Sequence, residues 1–445
     1  MSSHSSIFVK DFKRTPYWWE AFEPPASDDA LSGGRIDVAI VGAGYTGVCC
    51  ALTLAEAGVN VVVFEAGRLG EGASTRSGGQ VSGGVNVQKK ALSSVGEDGQ
   101  TAAARLVERL HDAADSMTYI ESLIEQRGID CGWHKTGRLT AMWLPSHYSA
   151  WTKRLAPLNE HTDANAEMIT PERVKDYIGS STYHGAALIR RGGHLHPAQL
   201  YDGMLAAARK AGACFISQSP VTKIMRQTGG YRLTIPGATV EADQVVIATN
   251  GYTSSLVPSL RRGVIPVTSH MVATEELAPG LARSILPQNH AVSESRRVVN
   301  HYRLSPDGKR LIFGGRARFV PTHEDTTAKL LHTAMLKRFP QLQGTRITHT
   351  WGGNVTMTLD SMPHIGGSDG LHFALGCNGS GVAMMSYLGH SVGRKILDPS
   401  HGPVNAFDTG TMPEHPLYFG NTWFLFAVGS WYQFLDAYEH RKARR

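Results

Sequence analysis

An apolar strand, a glycine-rich turn into a small-residue helix and a second apolar strand open the body of the chain. Buried strands recur near 244–250 and 373–375, and the stretches between them mix short strand-like runs with helices. This order predicts an α/β plus α+β fold: a Rossmann-type domain assembled from discontinuous segments, with a second, mixed-sheet domain between them. The length of 445 residues agrees, since one hydrophobic core rarely serves a chain of that size.

Residues 1–35 are rich in proline, serine and aromatics, with Tyr17-Trp18-Trp19 and Pro24-Pro25, and read as an arm packed over the body. The run Asp37-Val38-Ala39-Ile40-Val41 is the first strand, and Gly42, Gly44 and Gly47 follow it. The first two glycines let the backbone turn sharply toward a pyrophosphate. Gly47 lets the helix lie close on the strand and aim its positive end at phosphate. Glu65, at the end of the second strand, stands where an acid accepts ribose hydroxyls. Together they predict a site for an ADP-bearing dinucleotide.

Glycine and serine dominate 67–84, which reads as a second ligand-contacting loop. Between 101 and 127, Leu106, Leu110, Ala113, Met117, Ile120 and Ile124 step by three and four along one face of a long helix, and Gly128 stops it. A strand is expected near 137–144 and a helix over 197–212, with proline at its start and glycine past its end. Short strands follow at 214–216, 221–225, 231–235 and 244–249. The pattern is strand-like over 261–319, helical over 326–339 and helical again over 382–397. The expected division is an arm at 1–35; a nucleotide domain of 36–90, 192–258 and 344–400; a substrate domain of 91–191 and 259–343; and a tail at 401–445.

Forty-two per cent apolar content is ordinary for a globular protein, and no run of eighteen apolar residues predicts a spanning helix. The charge of +6 gathers partly in His440-Arg441-Lys442-Ala443-Arg444-Arg445, which reads as a solvated helix end, so no nucleic-acid partner is expected. Five cysteines without metal-ligand spacing suggest a reducing compartment, and the N-terminus lacks a secretory pattern, so a cytoplasmic location is expected. No metal is expected: in Gly193-His194-Leu195-His196-Pro197 the histidines stand at a helix start with no further ligands nearby.

Four motifs occur in order: Val41-Gly42-Ala43-Gly44-Tyr45-Thr46-Gly47; Gly72-Ala73-Ser74-Thr75-Arg76-Ser77-Gly78-Gly79-Gln80; Ala248-Thr249-Asn250-Gly251-Tyr252; and Gly376-Cys377-Asn378-Gly379-Ser380-Gly381-Val382. The set resembles the FAD-dependent D-amino acid oxidase superfamily. Trp351-Gly352-Gly353-Asn354 leading to Asp360-Ser361-Met362-Pro363-His364-Ile365-Gly366, the piece Ala273-Thr274-Glu275-Glu276-Leu277 and the aromatic C-terminus resemble its gamma-glutamylputrescine oxidase-like branch.

The resemblance implies FAD, with Gly42, Gly44 and Gly47 at the pyrophosphate and Glu65 at the adenosine ribose. Ala73, Ser74, Arg76, Gly78 and Gly79 would face pyrophosphate and flavin, Val221 the adenine, and Gly379, Ser380 and Gly381 the pyrimidine edge of the flavin. Ala43, Tyr45, Thr46, Ala66, Arg68, Gly72, Thr75, Ser77, Gln80, Thr249, Asn250 and Val382 complete the implied cofactor-binding positions. A Gly-Ser-Gly turn opening a helix independently offers bare N–H groups and a positive dipole end to reduced flavin. Members with covalent flavin resemble a cysteine where this chain has Gly353 or a histidine where it has Ser77, so non-covalent FAD is expected. Members acting on simple amino acids carry an arginine before the Asp-x-x-Pro-x-Ile-Gly stretch, where this chain reads Asn354-Val355-Thr356-Met357-Thr358-Leu359. Without that fork an α-amino acid loses its anchor.

The implied reaction is hydride removal from the carbon of a primary or secondary amine, leaving an imine that water hydrolyses to an aldehyde. Only the neutral amine has a lone pair to support it, so the site must favour deprotonation. His270, Tyr302 and Trp351 are the candidates for lining the substrate face. The electron acceptor is oxygen or a respiratory carrier. Two other readings stand beside this one: a D-amino acid or N-methylglycine oxidoreductase, and an RNA-associated flavoprotein. The amphipathic, base-ending stretch from Trp423 to Tyr438 is expected to pack on the N-terminal arm. The alternative, interfacial membrane contact, would go with a respiratory acceptor.

Overall fold

The computed structural model describes residues 6–27, 29, 35–83, 102–316 and 322–443. The expected end of the glycine-rich loop at 84, the start of the long helix at 101, the strand pattern beyond Arg316, and Arg444 and Arg445 lie outside them.

The first sheet runs in the order Asp408–Gly410, His364–Ser368, Leu371–Leu375, Ala238–Ile247, Ile36–Val41, Val61–Phe64 and Cys214–Ile216. Its last five strands are parallel neighbours. Parallel strands are covered on both faces, which is why Ile36–Val41 and Val61–Phe64 read as near-continuous valine and isoleucine. The hairpin Lys223–Gln227 and Gly230–Ile235 joins this sheet through Ala238–Ile247. On one side the helix Tyr45–Glu56, buried almost throughout, packs against Ser386–Leu397.

The second sheet runs Phe8–Lys13, Ile347–Met357, Ile265–Thr274, Leu311–Gly315, Asn300–Leu304, Ala291–Glu294, Arg138–Ala141, Ala186–Ile189 and Glu167–Ile169. Its two faces are set by register. Trp351, Met271, Gly314, His301, Ser293 and Thr140 form one cross-strand row. Thr350, Val272, Phe313, Tyr302, Val292 and Leu139 form the next, and because successive residues alternate, it faces the other way. The first, inner face packs with the nucleotide domain, sharing its core through Met271, Ala273, Ile312 and Trp351. The outer face carries a separate core under Glu324–Arg338, with Leu331, Met335 and Phe339.

The sequence does not anticipate the strands Glu167–Ile169, Ala186–Ile189, His364–Ser368 and Asp408–Gly410. The helix Pro279–Ile285 interrupts the stretch expected to be strand-like, and Ile347–Met357, expected in the nucleotide domain, is a strand of the second sheet. Two further elements are unexpected. Phe8–Lys13 pairs in parallel with Ile347–Met357, and the helix Pro145–His161 carries Pro157 inside it. The aromatic arm lies on the body: Trp18 is fully buried, its Nε1 donating to the Ser77 carbonyl at 2.8 Å, and Trp19 Nε1 donates to Thr75 Oγ1 at 2.9 Å.

Candidate active site

The glycines of the first turn are placed by contact. Gly42 has φ +102°, and a Cβ there would lie 2.9 Å from the Ala248 carbonyl oxygen; one on Gly47 would lie 1.9 Å from that of Gly42. The helix therefore starts at Gly44 pressed onto the strand ends, with no side-chain cap and no acid in its first turn. Ser74 Oγ accepts the Tyr45 N–H at 3.0 Å, so the loop after Gly72 is folded over this helix start. The Glu65 carboxylate accepts the N–H groups of Ala43 (2.8 Å) and Gly67 (3.2 Å), which fixes it beside the turn. Tyr45 and Tyr201 hydroxyls donate to the Pro197 and Ala43 carbonyls, and Thr46 is buried.

The second helix start lies alongside. The π-turn Gly381–Met385 follows Ser380 with no side-chain cap and leads into Ser386–Leu397. A Cβ on Gly389 would come within 2.2 Å of the Thr46 carbonyl oxygen, so the two helices touch near their N-terminal ends. Asn250, at φ +40°, accepts the Gly376 N–H at 3.1 Å and ties the 249–252 segment to the 376–381 turn, while Thr249 bonds Thr253. Gly379 has φ +86° with open space where a Cβ would stand. Val382 is buried, Val221 half-buried under the hairpin and Ala66 exposed.

The loop from Gly72 to Gln80 joins both domains. Thr75 donates to the Gly70 carbonyl, and Arg76 donates to the Glu71 and Gly352 carbonyls at 2.7 and 3.2 Å. The Ala73 neighbourhood touches Gly353, and Ser77 Oγ accepts the Gly79 N–H. Gly79 has φ +65°, and a Cβ there would meet the Leu195 carbonyl oxygen at 2.2 Å. Gln80 donates to the Val292 carbonyl and accepts from Ser293. Arg68 pairs with Glu23 while its Nε is buried without a partner. Two helix starts whose own N-cap residues give no side-chain cap, a fixed acid and bare glycine backbone fit an ADP-bearing flavin, which Gly44 to Gly47 and Ser74 would hold at its pyrophosphate, Glu65 at its ribose and 379–382 at its ring.

The three expected substrate-face residues are not brought together. Trp351 is on the inner face, fully buried, its Nε1 donating to the Arg76 carbonyl at 2.8 Å and its ring 6.2 Å from that of Trp18. Tyr302 is on the outer face. Its ring stacks on Phe313 at 5.6 Å and meets Phe339 edge-on, and its hydroxyl donates to that of Tyr183 at 2.9 Å, so it is a core residue. His270 shares the outer face, opposite Gly352 and Gly315, 7% exposed with no hydrogen-bond partner on Nδ1. The physical reason is alternation: both lie one residue from positions that face inward.

Those inward positions are Met271 and His301. A Cβ on Gly78 would meet each at 3.4 Å, so they stand directly over the glycine loop. Burial, then the charges of Arg138 and Arg316, push His301 down to about 4, leaving its imidazole neutral. Arg138 donates to Ser82 and Ser293 hydroxyls, keeps a buried Nε without a partner, and burial lowers it to about 10. Arg316 donates to Met357 Sδ, and burial lowers it too. Arg303, 1% exposed on the same face, is bonded to His194 Nδ1 at 2.7 Å with its guanidinium 4.8 Å over Trp18; burial brings it to about 9. The polar alternation His301, Arg303 within a buried strand is the signal that marked this face. His196 caps the helix Pro197–Lys210 by accepting the Gln199 N–H.

A dinucleotide turn, a second helix start beside it and a sheet face laid over the joining loop define a flavin-dependent oxidoreductase. The chain belongs to the FAD dependent oxidoreductase (DAO) family, whose pattern matches residues 37–394. Over 397 residues, 87% of the chain and 88% of the relative, it is 33% identical to the gamma-glutamylputrescine oxidoreductase of Escherichia coli. It is 30% identical to a probable oxidoreductase, OrdL, of Rhizobium meliloti, covering 95% of this chain and 97% of that one. Among solved structures, glycine oxidase from Geobacillus kaustophilus superposes with a TM-score of 0.69 at 22% identity, covering 86% and 99% of the two chains. The enzyme is thus an FAD-dependent oxidoreductase of this family. Among the described residues, no helix is long and apolar enough to cross a membrane.

Proposed function

We propose that the enzyme oxidises the C–N bond of a primary or secondary amine, with gamma-glutamylputrescine-like molecules as the substrate class, giving an imine that hydrolyses to an aldehyde. Bound FAD supplies the hydride acceptor. The observation that carries the reading is the inner sheet face. His301 there is held neutral, and Arg138 and Arg316 are the charges that act on it. A cationic, desolvated surface disfavours an ammonium and releases the lone pair that the developing iminium needs. The same positive field, with the helix start at Gly381, favours the negative charge of reduced flavin. Met271 and Trp351 exclude water from this side. The likeness to the E. coli gamma-glutamylputrescine oxidoreductase supports the substrate class.

Gly353 and Ser77 offer no cysteine or histidine for a flavin bond, which supports non-covalent FAD. Five free thiols, four of them buried, support a reducing compartment, the cytoplasm. A second reading, oxidation of D-amino acids or N-methylglycines, draws on the same buried arginines, because Arg138 and Arg316 together could anchor a carboxylate.

A steady-state panel separates the two. Gamma-glutamylated diamines are expected to give the highest kcat/KM, with D-amino acids and N-methylglycine at least about tenfold lower. The reverse ranking selects the second reading. Measuring each substrate in air and with a quinone distinguishes oxygen from a respiratory carrier as acceptor.

A further inference from the structure

The helix Leu425–Ala443 is built inside out. Its carboxylates point into the protein: Asp436, 4% exposed, accepts the N–H groups of Arg297 and Val298 and pairs with the Arg296 and Arg297 guanidinium groups at 3.2 and 3.3 Å. Glu439 pairs with Arg297 at 2.7 Å, and the His440 ring stacks on Trp143 at 5.4 Å. The aromatics point away. Phe419, Trp423, Phe426, Trp431, Phe434 and Tyr438 are all more than half exposed, and the last three form a stacked stripe at 5.6 and 6.3 Å. Among the described residues, the ring contacts of Trp423, Trp431, Phe434 and Tyr438 stay within the tail, and its ion pairs go to 296–297 and not to the arm, where the sequence reading expected it to pack. The arm lies over 75–77 and the tail over 143 and 296–298.

We infer that this face seats the enzyme on an anionic lipid bilayer, the helix lying in the plane of the headgroups. The buried Asp436 carboxylate, bonded to two arginines and two backbone N–H groups, anchors the helix with its stripe outward, so the exposed rings form one surface patch. The ring types suit the site: tryptophan and tyrosine place an apolar body and a polar edge at the headgroup boundary. Charge chooses the occupant. From 415 to 445 the acids are Asp436 and Glu439, both turned inward and paired, while Arg441 and Lys442 are exposed, and the sequence adds Arg444 and Arg445. An anionic surface is attracted to that rim. A second copy, with net charge +6 and the same basic rim, is repelled by it.

The test is cosedimentation of the full-length, flavin-loaded protein with vesicles of phosphatidylcholine and phosphatidylglycerol in equal parts, and with phosphatidylcholine alone, at low and high salt. Two double variants are compared, Trp431→Ser with Phe434→Ser, and Arg441→Glu with Lys442→Glu. The wild type is expected to pellet with the mixed vesicles, to do so weakly without phosphatidylglycerol, and to be released by salt. Each double variant should partition about tenfold less, with visible flavin absorbance and turnover of free substrate unchanged. Failure to bind either vesicle overturns the inference, as does binding that both variants leave intact. Light scattering that shows a wild-type dimer made monomeric by the serine pair also overturns it, and assigns the face to a second copy.

Discussion

His301 and Tyr302 adjoin in sequence and face opposite ways in the sheet. The strand Asn300–Leu304 is covered on both sides, so its sequence carries no dry-and-wet alternation to say which parity points at the flavin. The sequence-based choice falls on the aromatic, whereas the histidine one place earlier is the residue that stands over Gly78 on the inner face. Tyr302→Phe removes the bond to Tyr183 and should lower stability by about 1 kcal/mol in urea denaturation, with kcat/KM unchanged. Arg316→Met removes one of the cations over the site. In the proposed reaction turnover rises with pH as the bound amine loses its proton, and a nearby cation lowers that amine's pKa. The variant's rising limb in kcat, which reports the bound complex, should therefore move to higher pH, by up to about one unit; an unmoved limb shows that Arg316 does not act on the amine.

At the scale of elements, the nucleotide half was legible because its signals are local. A turn glycine, a small-residue helix and an acid at strand end occupy one short segment, and the structure presses Gly47 onto the Gly42 carbonyl and bonds Glu65 to the Ala43 N–H. The contact between the two helix starts was not legible, since it depends on Gly389 meeting Thr46 across more than three hundred residues. Gly389→Leu would wedge the helices apart. The protein should purify with at least about tenfold weaker FAD affinity by fluorescence titration, beside an overpacking cost of about 1–3 kcal/mol. Pro157 hid the helix Pro145–His161, because proline inside a helical pattern reads as a break. On the outer face, Glu294 and Arg338 form a buried pair at 2.8 Å that pins Glu324–Arg338 to the sheet, with Tyr183 and Asn300 completing it. Arg338→Met leaves the carboxylate buried without its cation, held by the Tyr183 hydroxyl, and thermal or urea unfolding should show a loss of about 3–5 kcal/mol.

For the whole molecule, buried histidines set the acid limit. His196, His301, His372 and His390 are pushed down to about 4 and His194 to about 2, each mainly by burial. Their folded values lie below the unfolded one near 6.5, so the unfolded chain binds more protons across that window. Stability is complete above about pH 6.5 and falls as pH drops toward about 4. The urea midpoint should therefore decline steadily from about pH 7 to about pH 5, and a flat midpoint would count against neutral burial of these rings. A two-domain, mixed-sheet architecture followed from the order of strands, whereas the assignment of the face proposed for the chemistry needed three-dimensional register.

The most direct measurement is anaerobic mixing of the purified yellow enzyme with a gamma-glutamylated diamine while the visible flavin absorbance is followed. Bleaching in a single turnover is expected, faster as pH rises through the amine's bound-state titration, with aldehyde released in step. A colourless protein that takes up no FAD, or a flavin that every amine leaves oxidised, would contradict it.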